Sequence, residues 1–121
     1  MVVKILFVCH GNICRSPMAE YIFRKLVSDA GVSDKFEIAT SDYVYYDLII
    51  GMDEMNIRNM KRVYHNDPEG KINLLLEYTD NCRSISDPWY SGDFDTAYRE
   101  IEEGCIALFK YLTSESGHLH S

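Results

Sequence analysis

The sequence predicts an α/β fold, a three-layer sandwich built on a four-stranded parallel sheet. Short apolar runs alternate along its 121 residues with stretches whose apolar residues recur at helical spacing. The first run, residues 2–8, is almost continuously β-branched or aromatic, which is typical of a strand buried on both faces of a parallel sheet. In such folds helices cover both faces, and ligands bind at the carboxyl edge of the strands.

Four strands are predicted at the apolar runs, and they are 2–8, 36–40, 47–50 and 71–77. The first helix follows Ser16, which is expected to cap it with Pro17 in the first helical position, and Gly31 is expected to end it. Its apolar residues repeat every three or four positions and are Met18, Ile22, Phe23, Leu26, Val27 and Ala30.

Two further helices complete the alternation. One begins near Asp53, with Met55, Met60 and Val63 expected to face inward. The last covers about 94–112, and its apolar stripe is predicted to comprise Ala97, Tyr98, Ile101, Cys105, Leu108, Phe109 and Leu112.

The segment between the first strand and the first helix reads VCHGNICRSP, from Val8 to Pro17. Cys9 stands at the end of the strand, and Arg15 follows it by six positions. Loop N–H groups and a helix N-terminus converge in such a unit and create a positive potential that suits a dianion. Gly11 allows close approach of the backbone, and Arg15 adds a planar fork of donors for two phosphate oxygens. The segment is therefore predicted to be a phosphate loop.

Cys9 faces the same positive potential, which favours the thiolate, the form that attacks an electrophile. We expect Cys9 to be a nucleophile that attacks phosphorus. Two other interpretations are open at this stage. A cysteine at a strand end is often an ordinary core residue. A Walker-type nucleotide loop fits less well, because it needs a lysine followed by serine or threonine.

The whole-chain composition indicates one small domain, residues 1–113, followed by a flexible tail, 114–121, that contains His118 and His120. The net charge of −7 disfavours binding to nucleic acid or to an anionic membrane, since both require a basic face. No apolar run approaches the length of a membrane span, and the four cysteines do not suggest a secreted disulfide framework. A cytoplasmic location is expected.

Three segments of the chain together resemble the low-molecular-weight protein tyrosine phosphatases. VCHGNICRSPMAE, from Val8 to Glu20, is similar to the signature loop of that family. DLIIGMDEMN, from Asp47 to Asn56, is similar to its third strand and following helix. DPWYSGDFDTAY, from Asp87 to Tyr98, is similar to its general-acid loop and the start of its last helix. The resemblance covers nearly all of the chain.

The resemblance implies hydrolysis of protein phosphotyrosine and small aryl phosphates through a cysteinyl-phosphate intermediate. Cys9 would be the nucleophile, Asp87 the general acid and later the base, and Trp89 and Tyr90 the walls of the substrate pocket. Arg15 would bind the phosphate together with the loop, whose other members are His10, Gly11, Asn12, Ile13, Cys14 and Ser16. Without the Cys9 loop, Asp87 and Pro88 would be read as a turn, and Trp89 and Tyr90 as a cap.

Further roles follow from the same resemblance. Ser16 would hydrogen-bond the thiolate, Asn12 would hold the shape of the loop, and Cys14 would form a reversible disulfide with Cys9 that prevents irreversible oxidation. The alternative for Cys14 is an inert buried thiol. Cys105 is expected in the core, and Cys82 in a loop.

No cofactor and no metal ion are expected, because a thiolate with an arginine fork already supplies what a cation would. The expected partners are a phosphotyrosine protein or small phosphomonoester, with phosphate or another oxyanion at the loop. The chain is expected to be a monomer or a weak dimer.

Two rival functions remain. Thiol-dependent arsenate reductases resemble this fold and loop but use additional cysteines; Cys82 lies in the appropriate region, yet no second cysteine follows it nearby. The other rival is a catalytically weak domain that binds anions or phosphotyrosine.

The chain departs from the family between Ser41 and Asp42, where family members have a longer segment that includes a helix and a wall of the cleft. A parallel crossover normally needs about a dozen residues or more. Three explanations are open, namely residues missing from this sequence, which we favour, a true deletion, or exchange of elements with a second copy. A true deletion should leave an apolar sheet face exposed. An intact mass near 14.0 kDa would contradict the first explanation.

Overall fold

The computed structural model describes residues 2–9, 15–38, 46–80, 82–85 and 92–113. Its strands are β1 (Val3–Val8), β2 (Phe36–Ile38), β3 (Leu48–Gly51) and β4 (Ile72–Leu74). Its helices are α1 (Arg15–Asp29), α2 (Glu54–Val63) and α3 (Phe94–Thr113), with short 3₁₀ helices at Ser33–Lys35 and Leu75–Tyr78. No helix in this part of the chain is both long enough and apolar enough to cross a membrane.

The four strands form one parallel sheet in the order β2-β1-β3-β4. The parallel α/β sandwich predicted from the sequence is confirmed. β1 lies in the interior of this sheet, and its apolar composition agrees with burial on both faces. The carboxyl ends of β1 and β3 therefore lie side by side at one edge, where Cys9 follows the first of them.

Two apolar clusters flank the sheet. Val3, Ile5 and Phe7 of β1 pack with α1 and α3 on one face, where Phe23 contacts Phe7, with ring centroids 5.7 Å apart. Leu6 of β1 packs on the other face in a smaller cluster whose further buried members are Tyr46, Ile49, Met60 and Ile72. This alternation along β1 follows from the two-residue period of a strand. The larger core thus lies beneath the two long helices, and α2 covers the second face.

The start of α1 differs from the prediction by the cap at Ser16. The helix begins at Arg15, so Ser16 lies within the first turn, and its backbone N–H donates to the Sγ of Cys9. The sulfur accepts from a backbone N–H that has no partner inside the helix. The predicted end is confirmed: Gly31 has φ of +73°, and the N–H of Val32 donates to the carbonyl of Val27.

The prediction of a strand over 71–77 is wrong in its second half. Leu75 begins a 3₁₀ helix, and the side chain of Glu77 accepts a hydrogen bond from the N–H of Leu74 at 3.3 Å. Leu75 and Leu76 are fully buried against the core that contains α3. Three leucines in a row fit a buried strand and a buried turn equally well, because apolar runs this short carry no period.

Three residues predicted to face inward are exposed instead. Met55 and Val63 of α2 are 65% and 66% exposed, and Tyr98 of α3 is 42% exposed. In α2 the buried face is set by Asn56 and Met60, four positions apart, and Met55 lies about 100° around the helix from Asn56. Val63 follows Asn56 by seven positions and lies close to that face, but it is the last residue of the helix. The last apolar residue predicted for α1, Ala30, is also exposed, because it follows the end of the helix.

The short connection from β2 to β3 is explained by the register of the sheet. Ile38 at the end of β2 and Leu48 at the start of β3 both pair with Ile5 of β1. The two ends that the connection joins therefore lie on either side of β1, about 10 Å apart and at the same position along the sheet. The backbone N–H of Asp47 also donates to the carbonyl of Lys4 at 2.9 Å, which fixes the entry to β3. Strands β1, β2 and β3 thus pair within one copy of the chain.

The apolar sheet face expected from a deletion is not observed in the described residues. On the face of the sheet that carries Leu6, Lys4 of β1 lies opposite Glu37 of β2 in the strand register, and both residues are polar. Leu6, which is apolar, is buried in a cluster with Tyr46, itself fully buried just before β3. Tyr46 packs against the sheet in this cluster. Tyr43 and Tyr45 lie outside the described residues.

Replacement of Gly104 by alanine should destabilise the protein, although alanine normally favours a helix. A Cβ at this position of α3 would lie 2.5 Å from the Cγ of Leu75, a buried side chain with no room to retreat. We expect a loss of about 1–3 kcal/mol in the free energy of unfolding, measured by denaturant titration. Alanine at exposed Glu102 of the same helix is the control and should change stability by less than about 0.5 kcal/mol. A Gly104→Ala protein as stable as the parent would contradict this packing.

Candidate functional site

Cys9 lies directly after β1, at the carboxyl edge of the sheet and against the first turn of α1. Its Sγ accepts a hydrogen bond from the backbone N–H of Ser16 at 3.3 Å, and the Oγ of Ser16 lies at the same distance. In the neutral form the thiol donates to this hydroxyl, and in the ionised form the hydroxyl donates to the sulfur. The side chain is buried. The sulfur therefore contacts both the backbone N–H and the hydroxyl of Ser16 at the N-terminus of α1.

Arg15 is the first residue of α1, and its side chain is only 2% exposed. Its Nη1 donates to the backbone carbonyl of Ile85 at 2.9 Å and lies 2.9 Å from the Oδ2 of Asp53. A buried guanidinium needs such partners, because removing an unpaired charge from water costs several kcal/mol. The two contacts hold the guanidinium in a fixed position beside the residues that contact Cys9.

Asp53 uses its two carboxylate oxygens for two different elements. Oδ2 pairs with Arg15, and Oδ1 accepts a hydrogen bond from the N–H of Asn56 at 2.8 Å, which caps α2. The side-chain oxygen of Asn56 in turn accepts from the N–H groups of Met52 and Asp53. This reciprocal capping box fixes the rotamer of Asp53. The start of α2 and the position of Arg15 are therefore coupled through one carboxylate.

The segment 82–85 runs past the start of α2 and ends beside Arg15. The N–H of Ile85 donates to the carbonyl of Met52 at 2.8 Å, and the Oγ of Ser84 accepts from the N–H of Glu54 at 3.2 Å. Arg83 forms an ion pair with Glu100 of α3, with the Nη2 and Oε2 atoms 3.0 Å apart. The segment is thus attached to Met52, which follows β3, and to α2 and α3, before the chain continues toward Asp87.

The structure brings Cys9, Arg15 and Ser16, three of the predicted site residues, together at the carboxyl edge of the sheet. The remaining predicted site residues lie outside the described residues. They are His10, Gly11, Asn12, Ile13 and Cys14 of the loop, and Asp87, Trp89 and Tyr90.

Sequence reasoning missed Asp53 and Asn56 as parts of the site. Asp53 was assigned only to the start of a helix. A signal was present, because Asp53 follows a buried strand at the carboxyl edge and Asn56 stands three positions later, the spacing of a capping box. The carbonyl of Ile85 could not have been found this way, since a backbone contact with Arg15 leaves no mark in the sequence.

Two other cysteines occupy different environments from Cys9. Cys105 is fully buried in α3, and its pKa is raised above the usual range by burial, and also by the nearby Glu102 carboxylate. Its thiol therefore stays neutral and packs as a core side chain, as predicted. Cys82 is exposed in the segment 82–85.

A family model, curated relatives and solved structures all match this chain over most of its length. The chain matches the family model for low molecular weight phosphotyrosine protein phosphatases over residues 4–42 and 36–117. The Gallus gallus protein named low molecular weight phosphotyrosine protein phosphatase is 35% identical over 148 aligned positions, which cover 88% of this chain and 94% of the relative. That alignment is longer than the chain, so the relative has residues with no counterpart here. The two matched stretches meet at 36–42, where the sequence indicated the absent segment.

Two solved structures share the fold. YfkJ from Bacillus subtilis superposes with a TM-score of 0.88 and 27% identity, covering 95% of this chain and 97% of that one. The low molecular weight protein tyrosine phosphatase SP-PTP from Streptococcus pyogenes gives a TM-score of 0.76 and 31% identity, with coverage of 95% and 96%.

Proposed function

Because this chain belongs to the low molecular weight phosphotyrosine protein phosphatase family, we propose that it hydrolyses phosphotyrosine on proteins and small aryl phosphates through a phosphorylated Cys9. The observation that carries this proposal is the Sγ of Cys9 at the N-terminus of α1, 3.3 Å from both the N–H and the Oγ of Ser16. Donors in this arrangement stabilise the thiolate that must attack and later leave.

The reaction has two displacements at phosphorus. The Cys9 thiolate attacks the phosphorus, an S–P bond forms, and the P–O bond to the aryl group breaks as Asp87 gives its proton to the departing oxygen. Water then attacks the phosphorus and gives a proton to the Asp87 carboxylate, and the S–P bond breaks to return the thiolate and release phosphate. Arg15 and the amides of residues 10–16 bind the phosphate oxygens in both steps.

The position of the segment 82–85 supports the role of Asp87. Ile85 accepts a hydrogen bond from Arg15, and Asp87 comes two residues later. Two extended residues span at most about 7 Å, so the acid loop must start close to the phosphate site. A general acid has to reach the leaving oxygen within hydrogen-bond distance.

Three further roles belong to the same proposal. Trp89 and Tyr90 follow Asp87 and stack on the aromatic ring of phosphotyrosine at the mouth of the site. Asn12 holds the shape of the phosphate loop. Cys14 forms a disulfide with oxidised Cys9 and so protects the nucleophile from irreversible oxidation.

An Asp87→Asn variant should retain phosphate binding and lose most of its turnover. We expect kcat for an aryl phosphate to fall by about 10²–10⁴-fold, the contribution of a general acid. The loss should be largest for phenyl phosphate and smallest for p-nitrophenyl phosphate, whose leaving group needs the least help from a proton. Phosphate release measures turnover, and competitive inhibition by vanadate measures the anion site.

Equal losses with both leaving groups would contradict the assignment of Asp87 as the acid. Either of two results with the parent protein would contradict the proposed function and favour another one. Binding of vanadate without any hydrolysis would indicate a binding domain, and thiol-dependent conversion of arsenate to arsenite would indicate a reductase.

A further inference from the structure

Helix α2 has no neighbouring helix on its face of the sheet in the described part of the chain. α1 and α3 pack together on the opposite face, while α2 packs on β3 and β4 through a buried side that includes Asn56 and Met60. Its outer side is open to solvent over its whole length. The chain also lacks a segment that its relatives have in the connection between β2 and β3. The outer side of α2 is therefore a surface available for contact.

This outer side is basic, although the protein as a whole is acidic with a net charge of −7. Arg58, Lys61 and Arg62 are exposed at positions three and four apart, so they lie on one side of the helix, and we call them the α2 basic stripe. Within the described ranges, no carboxylate lies at ion-pair distance from any of the three. Five cations elsewhere do have carboxylate partners, and they are Arg15, Arg24, Lys25, Lys71 and Arg83.

The α2 basic stripe starts close to the phosphate site. The cap of α2 is Asp53, whose carboxylate lies 2.9 Å from Arg15. At a rise of 1.5 Å per residue, Arg58 lies about 8 Å beyond this cap along the helix axis, and Arg62 about 14 Å beyond it. An extended peptide advances about 3.3 Å per residue, so these distances correspond to about two to four residues of substrate.

We propose that the α2 basic stripe binds acidic side chains located a few residues from the phosphotyrosine of a protein substrate. This inference rests on the proposed function, because it supposes that a phosphotyrosine occupies the site at Cys9. Exposed charges of opposite sign increase the rate of encounter and orient the peptide, and their effect weakens with added salt. The stripe thereby selects acidic phosphotyrosine segments over neutral ones, even though the whole chain repels them.

A structural role for the same side chains predicts a different result. Lys61 and Arg62 lie in the last turn of α2, where positive charge stabilises the helix through its dipole. Removing a purely structural charge would lower the thermal midpoint and affect all substrates equally. Removing a docking charge would raise KM for acidic peptides alone and leave kcat unchanged.

The test compares two phosphotyrosine peptides of equal length, one with glutamate and one with glutamine at the positions two to four residues from the phosphotyrosine on either side. The parent protein is compared with the double variant Arg58→Gln/Arg62→Gln. The matched control is Lys35→Gln/Lys110→Gln, which makes the same change in net charge at exposed lysines outside α2. Hydrolysis of p-nitrophenyl phosphate, which has no flanking residues, is measured with all three proteins.

We expect the α2 double variant to lose about threefold to tenfold in kcat/KM for the acidic peptide, the scale of two exposed ion pairs. Its activity on the glutamine peptide and on p-nitrophenyl phosphate should match that of the parent. The lysine control should keep the parent's preference, and added salt should remove it.

Three outcomes would overturn the inference. They are no preference for the acidic peptide in the parent, an equal loss in the lysine control, or a change in oligomeric state of the α2 variant with unchanged peptide kinetics, which would assign the stripe to a contact between copies. A parent that fails to hydrolyse p-nitrophenyl phosphate would instead contradict the proposed function, so the two failures are distinguishable.

Discussion

Replacing Cys9 by serine is expected to reduce turnover of an aryl phosphate by about 10³-fold or more, the scale seen when an enzyme loses its nucleophile. A hydroxyl at this position has the same donors around it, the N–H and Oγ of Ser16, but it does not ionise near neutral pH. The phosphate loop and Arg15 are unchanged in this variant. Binding of phosphate should therefore persist while hydrolysis is lost, as measured by competition with vanadate and by phosphate release.

Cys82→Ser provides the matched control, because Cys82 is exposed in the segment 82–85 and is not part of the proposed chemistry. It should hydrolyse the substrate at the rate of the parent. Iodoacetate should inactivate the parent and the Cys82 variant alike, and a bound oxyanion should protect both. Substantial hydrolysis by Cys9→Ser would refute the nucleophile.

Asp53→Asn is expected to lower both stability and activity, because it removes the negative charge from a buried arginine. Loss of one partner of a buried ion pair costs about 3–5 kcal/mol, and Asp53 is partly exposed, so a loss of about 2–3 kcal/mol in the free energy of unfolding is expected. Arg15 would also lose its fixed position, and kcat/KM for an aryl phosphate should fall by at least about tenfold. Denaturant titration and steady-state kinetics measure the two effects.

Asp53→Ala separates the two functions of this carboxylate. Asparagine caps a helix about as well as aspartate, whereas alanine also removes the bond to the N–H of Asn56. The alanine variant should lose about 1 kcal/mol more than the asparagine variant, at a similar kcat/KM. An asparagine variant with the stability and activity of the parent would show that the contact between Arg15 and Asp53 does not support the site.

The sequence was sufficient for the fold and for the approach of Cys9, Arg15 and Ser16 to one another, for reasons that particular residues make clear. The run from Val3 to Val8 is apolar on both sides except at Lys4, which is typical of a strand inside a parallel sheet. Cys9 and Arg15 flank a loop between that strand and a helix, so their approach depends on local geometry alone. Local patterns of this kind do not depend on tertiary contacts, and therefore they could be predicted.

The errors arose where distant contacts decide the conformation. Leu75 leaves the path of β4 because α3 offers it a buried position beside Gly104. The apolar character of Met55 and Val63 predicts that both face inward, but the buried side of α2 carries Asn56 and Met60, Met55 lies about 100° from Asn56, and Val63 is the last residue of the helix. The contact of Arg15 with Ile85 spans 70 residues and involves a carbonyl common to every residue type. Neither the packing of Leu75 against Gly104 nor the contact of Arg15 with Ile85 has a period or a motif.

The end of β2 and the start of β3 lie at the same position along β1, and this has a consequence for the length of the chain that joins them. Ile38 and Leu48 are held one strand apart by their common partner Ile5, so the sheet sets the separation of these ends whatever chain joins them. The entropy of closing a loop between fixed ends grows only with the logarithm of its length. Residues can therefore be added to or removed from this junction at a small cost in loop entropy, while Cys9, about 13 Å further along β1, keeps its position.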